Sequence, residues 1–120
     1  MTKNVTTALL LEDEPLISMD LEATLADAGF DVVAMMSCSD AVTWLDGNAP
    51  DVVIVDIMLR DGSSDAVVER LIEDAVPFIV HSGDHPSMHE NTPFARGTWV
   101  SKPAEGDELV RTARRLVFSA

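Results

Sequence analysis

The chain has 120 residues, 47% hydrophobic and 24% charged, which fits one ordinary globular domain with a single core and excludes a disordered composition. Eight Lys and Arg against 21 Asp and Glu give a formal charge of −13, a field that repels phosphate backbones and argues against nucleic-acid partners. No apolar run approaches the roughly 20 residues that span a bilayer, and Met1 to Thr7 lacks the apolar stretch of a secretion signal. A cytoplasmic location without membrane partners is therefore expected. The one cysteine, Cys38, has no internal partner for a disulfide and suits a reducing compartment.

Strand and helix periods alternate along the chain. Ala8 to Leu11 is an unbroken apolar run that ends abruptly in Glu12-Asp13-Glu14-Pro15, as a strand buried on both faces would. Pro15 starts a helix, Ile17, Leu21, Leu25 and Ala28 recur at helical spacing, and Gly29 ends it. Phe30 to Met36 reads as a second strand. Ser37 or Ser39 then caps a short helix through Leu45 that Gly47 closes. Asp51-Val-Val-Ile-Val-Asp56 carries a β-branched centre and an acid at its carboxyl end.

After a turn at Arg60-Asp61-Gly62, Ser63 or Ser64 caps a helix striped by Val67, Val68, Leu71 and Ile72. Phe78 to His81 and Thr98 to Ser101 read as the fourth and fifth strands. Between them, Pro86, Pro93 and weak periodicity predict an abbreviated or irregular fourth helix. A last helix, about Gly106 to Phe118, is expected to bury Leu109, Ala113, Leu116 and Val117, with Arg111, Arg114 and Arg115 towards its negative end. Alternation of this kind implies right-handed crossovers and a parallel sheet between helix layers, in one domain over residues 1–120 with its core at about 7–118.

In such sheets ligands bind outside the carboxyl ends of the strands. Those ends carry Glu12 and Asp13, Asp56, Ser82 and Lys102. Three converging carboxylates repel one another unless a cation sits among them, and Mg²⁺ accepts one or two carboxylates while keeping other oxygen ligands. A carboxylate is also a nucleophile that forms an aspartyl-phosphate when the charge of the transferring group is neutralised. Asp56 is the nucleophile on this reading, with Lys102 as a point charge for the phosphate and the Ser82 hydroxyl as a donor. Gly83 leaves room beside it. Taken singly, strand-end acids are ordinarily turn and cap residues.

These segments resemble a family. Leu9-Leu-Leu-Glu12-Asp13, Asp51 to Gly62, Val80-His-Ser82-Gly83 and Trp99-Val-Ser-Lys102-Pro103 together resemble the response-regulator receiver (CheY-like) domain of two-component signalling, over roughly Thr7 to Phe118. The resemblance implies a flavodoxin-like three-layer sandwich with a five-stranded parallel sheet of order 2-1-3-4-5. It implies phosphorylation of Asp56 by a histidine kinase or histidine phosphotransfer protein. Glu12, Asp13, Asp56 and the backbone carbonyl of Met58 would surround Mg²⁺ or another divalent cation such as Mn²⁺. Ser82 would turn towards the phosphoryl group, and Trp99 would follow as the switch, signalling to a downstream protein. Such a domain is a phosphoacceptor and not an enzyme.

Several positions depart from the pattern. Arg60 stands where the family usually has proline, Ser64 where many members have glycine, and His81 precedes the switch hydroxyl. Some features resemble single-domain receivers of the alphaproteobacterial type. No effector domain is expected after Phe118, so the expectation is a stand-alone receiver that signals through partner binding or phosphorelay. Two rivals are a pseudo-receiver that binds partners without phosphorylation and an aspartate-nucleophile phosphatase, although the latter needs an acid where Met58 stands. His81, His85 and His89, with Asp84, recur every four residues and would share a face as transition-metal ligands on a continuous helix, which Gly83 and Pro86 interrupt.

Overall fold

The computed structural model describes residues 5–118; residues 1–4 and 119–120, the ends of the 1–120 span, lie outside the described residues. Five strands form one parallel sheet: β1 (Thr6–Leu11), β2 (Phe30–Met35), β3 (Val52–Val55), β6 (Phe78–Ser82) and β7 (Thr98–Ser101). Their spatial order is β2-β1-β3-β6-β7, which is 2-1-3-4-5 when the sheet strands alone are counted. Register is continuous across the centre, with Leu10 beside Ile54, Ile54 beside Ile79 and Ile79 beside Thr98.

The two-residue period of the strands divides the interior into two cores. Leu9, Leu11, Val53, Val55 and Val80 face α2 (Cys38–Gly47) and α3 (Asp65–Glu73), meeting Ala41, Leu45, Val67, Val68 and Leu71. Ala8, Leu10, Val52, Ile54 and Ile79 face α1 (Pro15–Asp27) and α4 (Gly106–Phe118), meeting Leu21, Leu25, Leu109 and Ala113. Each fully buried aliphatic side chain contributes about 1.5–3 kcal/mol. The central strands, buried on both faces, are thus the rigid floor under the carboxyl-end loops.

Helix ends follow local chemistry. Pro15 occupies the first turn of α1, and Gly29 at φ +99° ends it, a backbone state that favours glycine. Ser37 caps α2 by accepting the Asp40 N–H at 3.2 Å. Ser64 precedes α3 but makes no cap; its hydroxyl is used elsewhere. The turn after β3 is an antiparallel hairpin, β4 (Met58–Leu59) with β5 (Gly62–Ser63).

In α4, Leu116 and Val117 are only half-buried, contrary to expectation, and Val110 and Thr112 are buried instead. The helix is turned so that its first half packs on the sheet, while Leu116 lines an open groove with Pro77 and Thr98. The abbreviated fourth helix is two 3₁₀ turns, Pro86–His89 and Pro93–Arg96, each opened by its proline. Phe94 in the second turn is buried against the α2/α3 core. No helix among the described residues is long and apolar enough to cross a membrane.

Candidate functional site

The acidic loop after β1 is fixed from both sides. Glu12 N–H donates to the Met35 carbonyl at 3.1 Å, and its side chain is only 1% exposed. Asp56 N–H, at the end of β3, donates to the Leu11 carbonyl at 3.0 Å. These backbone bonds align the two strand ends, so that one carboxylate oxygen from each of Glu12, Asp13 and Asp56 lies within 4.8 Å of the others. Lys102 follows β7, where its N–H donates to the Ser82 carbonyl at 2.8 Å. Its Nζ then reaches back 2.8 Å to Asp56 Oδ2 and 2.8 Å to Glu12 Oε1. The Lys102–Pro103 peptide is cis.

Charge and burial oppose one another here. Burial raises the Glu12 carboxyl above its ordinary value, although Lys102 and the Glu14 N–H favour its charged form. Burial also pulls on Lys102, but its hydrogen bonds to Asp56 and Glu12 together outweigh that and hold it above 10.5. Three hard oxygen donors beside one ammonium leave negative charge over, the donor set that a small divalent cation accepts.

The remaining sequence-predicted residues lie around this cup. Ser82 is buried, and its Oγ accepts the Asp84 N–H at 3.0 Å. Trp99 lies beside Val80 on β7, half-buried, with its Nε1 buried and unpartnered. Met58 begins β4, two residues beyond Asp56, with its side chain exposed.

The three histidines do not converge. His81 belongs to β6, buried at 4% exposure with both ring nitrogens unpartnered, and burial followed by the Lys102 charge pushes it down to about 4. It lines a cavity of about 370 Å³ with Leu16, Ile17 and Pro103. His85 Nδ1 engages Ser87 Oγ at 2.8 Å, and His89 Nε2 engages Asp84 at 2.9 Å. Among the described residues, Glu12, Asp13 and Asp56 form the one group of His, Cys, Asp and Glu side chains close enough to share a metal. The transition-metal reading of the histidines fails because β6 extends through Ser82 and no continuous helix follows.

Two residues escaped the sequence reading. Ser64, fully buried, donates its hydroxyl to the Asp56 carbonyl at 2.7 Å and the Ile57 carbonyl at 3.1 Å, tying the end of β3 to the start of α3. Asp61 accepts the Cys38 N–H at 2.7 Å and the Ser39 N–H at 3.1 Å, so the hairpin is bound to the N-terminus of α2.

A family model described as the response regulator receiver domain matches residues 8–114. The chain belongs to the response regulator receiver family. Receivers are signalling domains of two-component systems, working with histidine kinases or phosphotransfer proteins. The receiver described here is similar to the phyllosphere-induced regulator PhyR of Methylorubrum extorquens, 38% identical over 78 residues, covering 62% of this chain and 29% of that protein. It also resembles the transcriptional regulatory protein DltR of Streptococcus agalactiae, 27% identical over 110 residues, covering 88% of this chain and 49% of that protein. The receiver thus spans about half the length, or less, of these curated relatives. Among solved structures, a response regulator receiver protein from Sinorhizobium medicae superposes with a TM-score of 0.86 at 28% identity, covering 97% of both chains. The receiver domain of Erythrobacter litoralis PhyR gives 0.82 at 29%, covering 96% of this chain and 92% of that one.

Proposed function

We propose that the domain accepts a phosphoryl group on Asp56 from a histidine kinase or histidine phosphotransfer protein and passes the signal to a downstream protein. The observation that carries this reading is the cup itself: three carboxylates within 4.8 Å of one another, with Lys102 Nζ 2.8 Å from both Glu12 and Asp56. In the transfer, the P–N bond of a phosphohistidine breaks as a P–O bond to Asp56 forms, and the released imidazole nitrogen takes up a proton. Glu12, Asp13, Asp56 and the Met58 carbonyl would hold Mg²⁺ or Mn²⁺, which would supply neutralisation of the phosphoryl charge.

The chain's own residues supply the rest. The Leu11 carbonyl and the Ser64 hydroxyl hold the Asp56 backbone, which fixes the nucleophile over a rigid strand end. Lys102 exchanges part of its ion pairing for a phosphoryl oxygen as negative charge arrives. Ser82 turns its hydroxyl to the new oxygen acceptors. Trp99 then changes its packing, a shift of population between two arrangements driven by charge-assisted hydrogen bonds.

Incubation with acetyl phosphate and Mg²⁺, followed by intact mass, tests the reading. One phosphoryl group is expected on the wild type and none on Asp56→Asn. A wild type that gains no mass would support a phosphorylation-independent interaction module instead, and equal labelling of both proteins would remove Asp56 as the acceptor.

A further inference from the structure

A continuous set of contacts runs from Ser82 to Trp99 through residues outside the acidic cup. Ser82 Oγ accepts the Asp84 N–H at 3.0 Å. The Asp84 carboxylate accepts from His89 Nε2 at 2.9 Å; since a carboxylate only accepts, the imidazole is the donor whatever its charge. The His89 ring stacks on the Trp99 indole, with centroids 5.8 Å apart and planes at 28°. The His89 and Phe94 rings meet in a T-shaped arrangement at 5.7 Å and 78°. His89 is therefore held at a nitrogen by Asp84 and by ring contacts with Trp99 and Phe94.

The indole is held differently. Its Nε1 is buried and has no hydrogen-bond partner. A buried donor left unpaired is costly, so packing and stacking, not hydrogen bonding, keep Trp99 in place. Beside it lies an open hollow of about 400 Å³ lined by Pro86, Ser87, Glu90, Ala95 and Gly97. The segment that carries Asp84 and His89 is short and mostly exposed, while Phe94 anchors its far end in the core. Such a segment shifts more readily than the strands it joins.

We propose that His89 is a positioning residue, a latch that sets Trp99 according to the hydrogen bonding of Ser82. The inference rests on the reading of Asp56 as phosphoacceptor. When the Ser82 hydroxyl donates to a phosphoryl oxygen, Oγ turns from the Asp84 N–H and that bond is lost. Asp84 is then free to move, His89 moves with it, and the indole loses the ring it stacks on. No covalent step is involved. The coupling belongs to this loop, because it needs an acid two residues after the hydroxyl and an aromatic imidazole five residues beyond that acid.

The test uses a Trp44→Phe background, in which Trp99 is the one remaining tryptophan. Beryllofluoride with Mg²⁺ serves as the phosphoryl mimic, its occupancy read by ¹⁹F NMR and the response of Trp99 by fluorescence. His89→Phe keeps a ring against Trp99 and Phe94 but loses the bond to Asp84; Asp84→Ala cuts the same link from its other end. At equal occupancy both variants are expected to lose most of the fluorescence change, and the double variant to lose no more than either. Full-amplitude changes in both single variants, or a parent that binds the mimic with no change in Trp99, would overturn the latch and leave the phosphoacceptor reading standing. A parent that binds no mimic would remove both.

Discussion

Lys102 Nζ and Glu12 Oε1 are 2.8 Å apart, and the acid in this pair is almost wholly buried. Breaking a buried pair by deleting one partner typically costs 3–5 kcal/mol, because a charge is left uncompensated. Lys102→Met is expected to cost less, about 2–3 kcal/mol, since Glu12 can take up a proton instead. Mg²⁺ is expected to restore more stability to this variant than to the wild type, as read from urea unfolding with and without the ion. Equal gains would mean that lysine and cation do not share the same charge.

Glu12 also makes stability depend on pH. Its folded pKa is raised above 4.5, so ionising it costs stability as pH rises through 4.5 towards the raised value. Below 4.5 that cost is absent. Glu12→Gln abolishes the dependence, so without Mg²⁺ the wild type should gain on the variant as pH falls into this range. Parallel curves would show that Glu12 does not titrate abnormally.

The rim acids were legible in the sequence because apolar runs such as Ala8 to Leu11 and Val52 to Val55 are buried on both faces and then break into polar residues. That break marks a carboxyl end whatever the tertiary detail. Ser64 and Asp61 were not legible for the opposite reason. A serine before a helix looks like a cap, and only the fold brings it against the Asp56 carbonyl rather than its own helix. Asp61 likewise serves a helix that begins 23 residues earlier in the chain. His81 was legible as a strand residue, but its burial was not: alternating with Val80, it faces the α1 side of β6, where only the packing of α1 closes over the ring.

Ser64→Ala removes a donor shared by two backbone carbonyls and leaves the Ser64 N–H bond to Ile57, 2.8 Å, in place. A stability loss of about 1–2 kcal/mol is expected. Labelling by acetyl phosphate should slow by about tenfold or less, because the nucleophile's backbone loses a fixed partner. Unfolding and labelling kinetics check the two effects separately. A variant as stable and as quickly labelled as the wild type would show that the hydroxyl does not hold Asp56.

Asp61 is held down to about 2, mainly by the Cys38 and then the Ser39 backbone N–H. Its contribution is present above pH 3.8 and is lost as pH falls towards 2. The same carboxylate, after burial, pushes the Cys38 thiol up to about 11. Iodoacetamide at pH 8.5 should therefore alkylate folded wild type far more slowly than the unfolded chain, and Asp61→Asn faster than wild type. Equal rates in the two folded proteins would show that Asp61 does not control the thiol.

His81 combines 4% exposure, two unpartnered ring nitrogens and a pKa pushed down to about 4. The unfolded chain takes up a proton near 6.5 that the folded protein refuses until about 4, so wild-type stability falls as pH drops through that window. The loss is at most about 3 kcal/mol, and below about 4 this group adds nothing further. Glu12 runs in the opposite direction above 4.5, but it is present in both proteins when wild type and His81→Leu are compared at the same pH. The variant removes two buried unsatisfied nitrogens and keeps an apolar side chain on the α1 side of β6. It is expected to gain about 1–2 kcal/mol at pH 7.5 and to widen that lead as pH falls from 6.5 to 4. Urea midpoints measured across this range check both parts. A lead that is absent at pH 7.5 and flat on acidification would mean that the imidazole finds a partner in solution and is not held neutral in a dry interior.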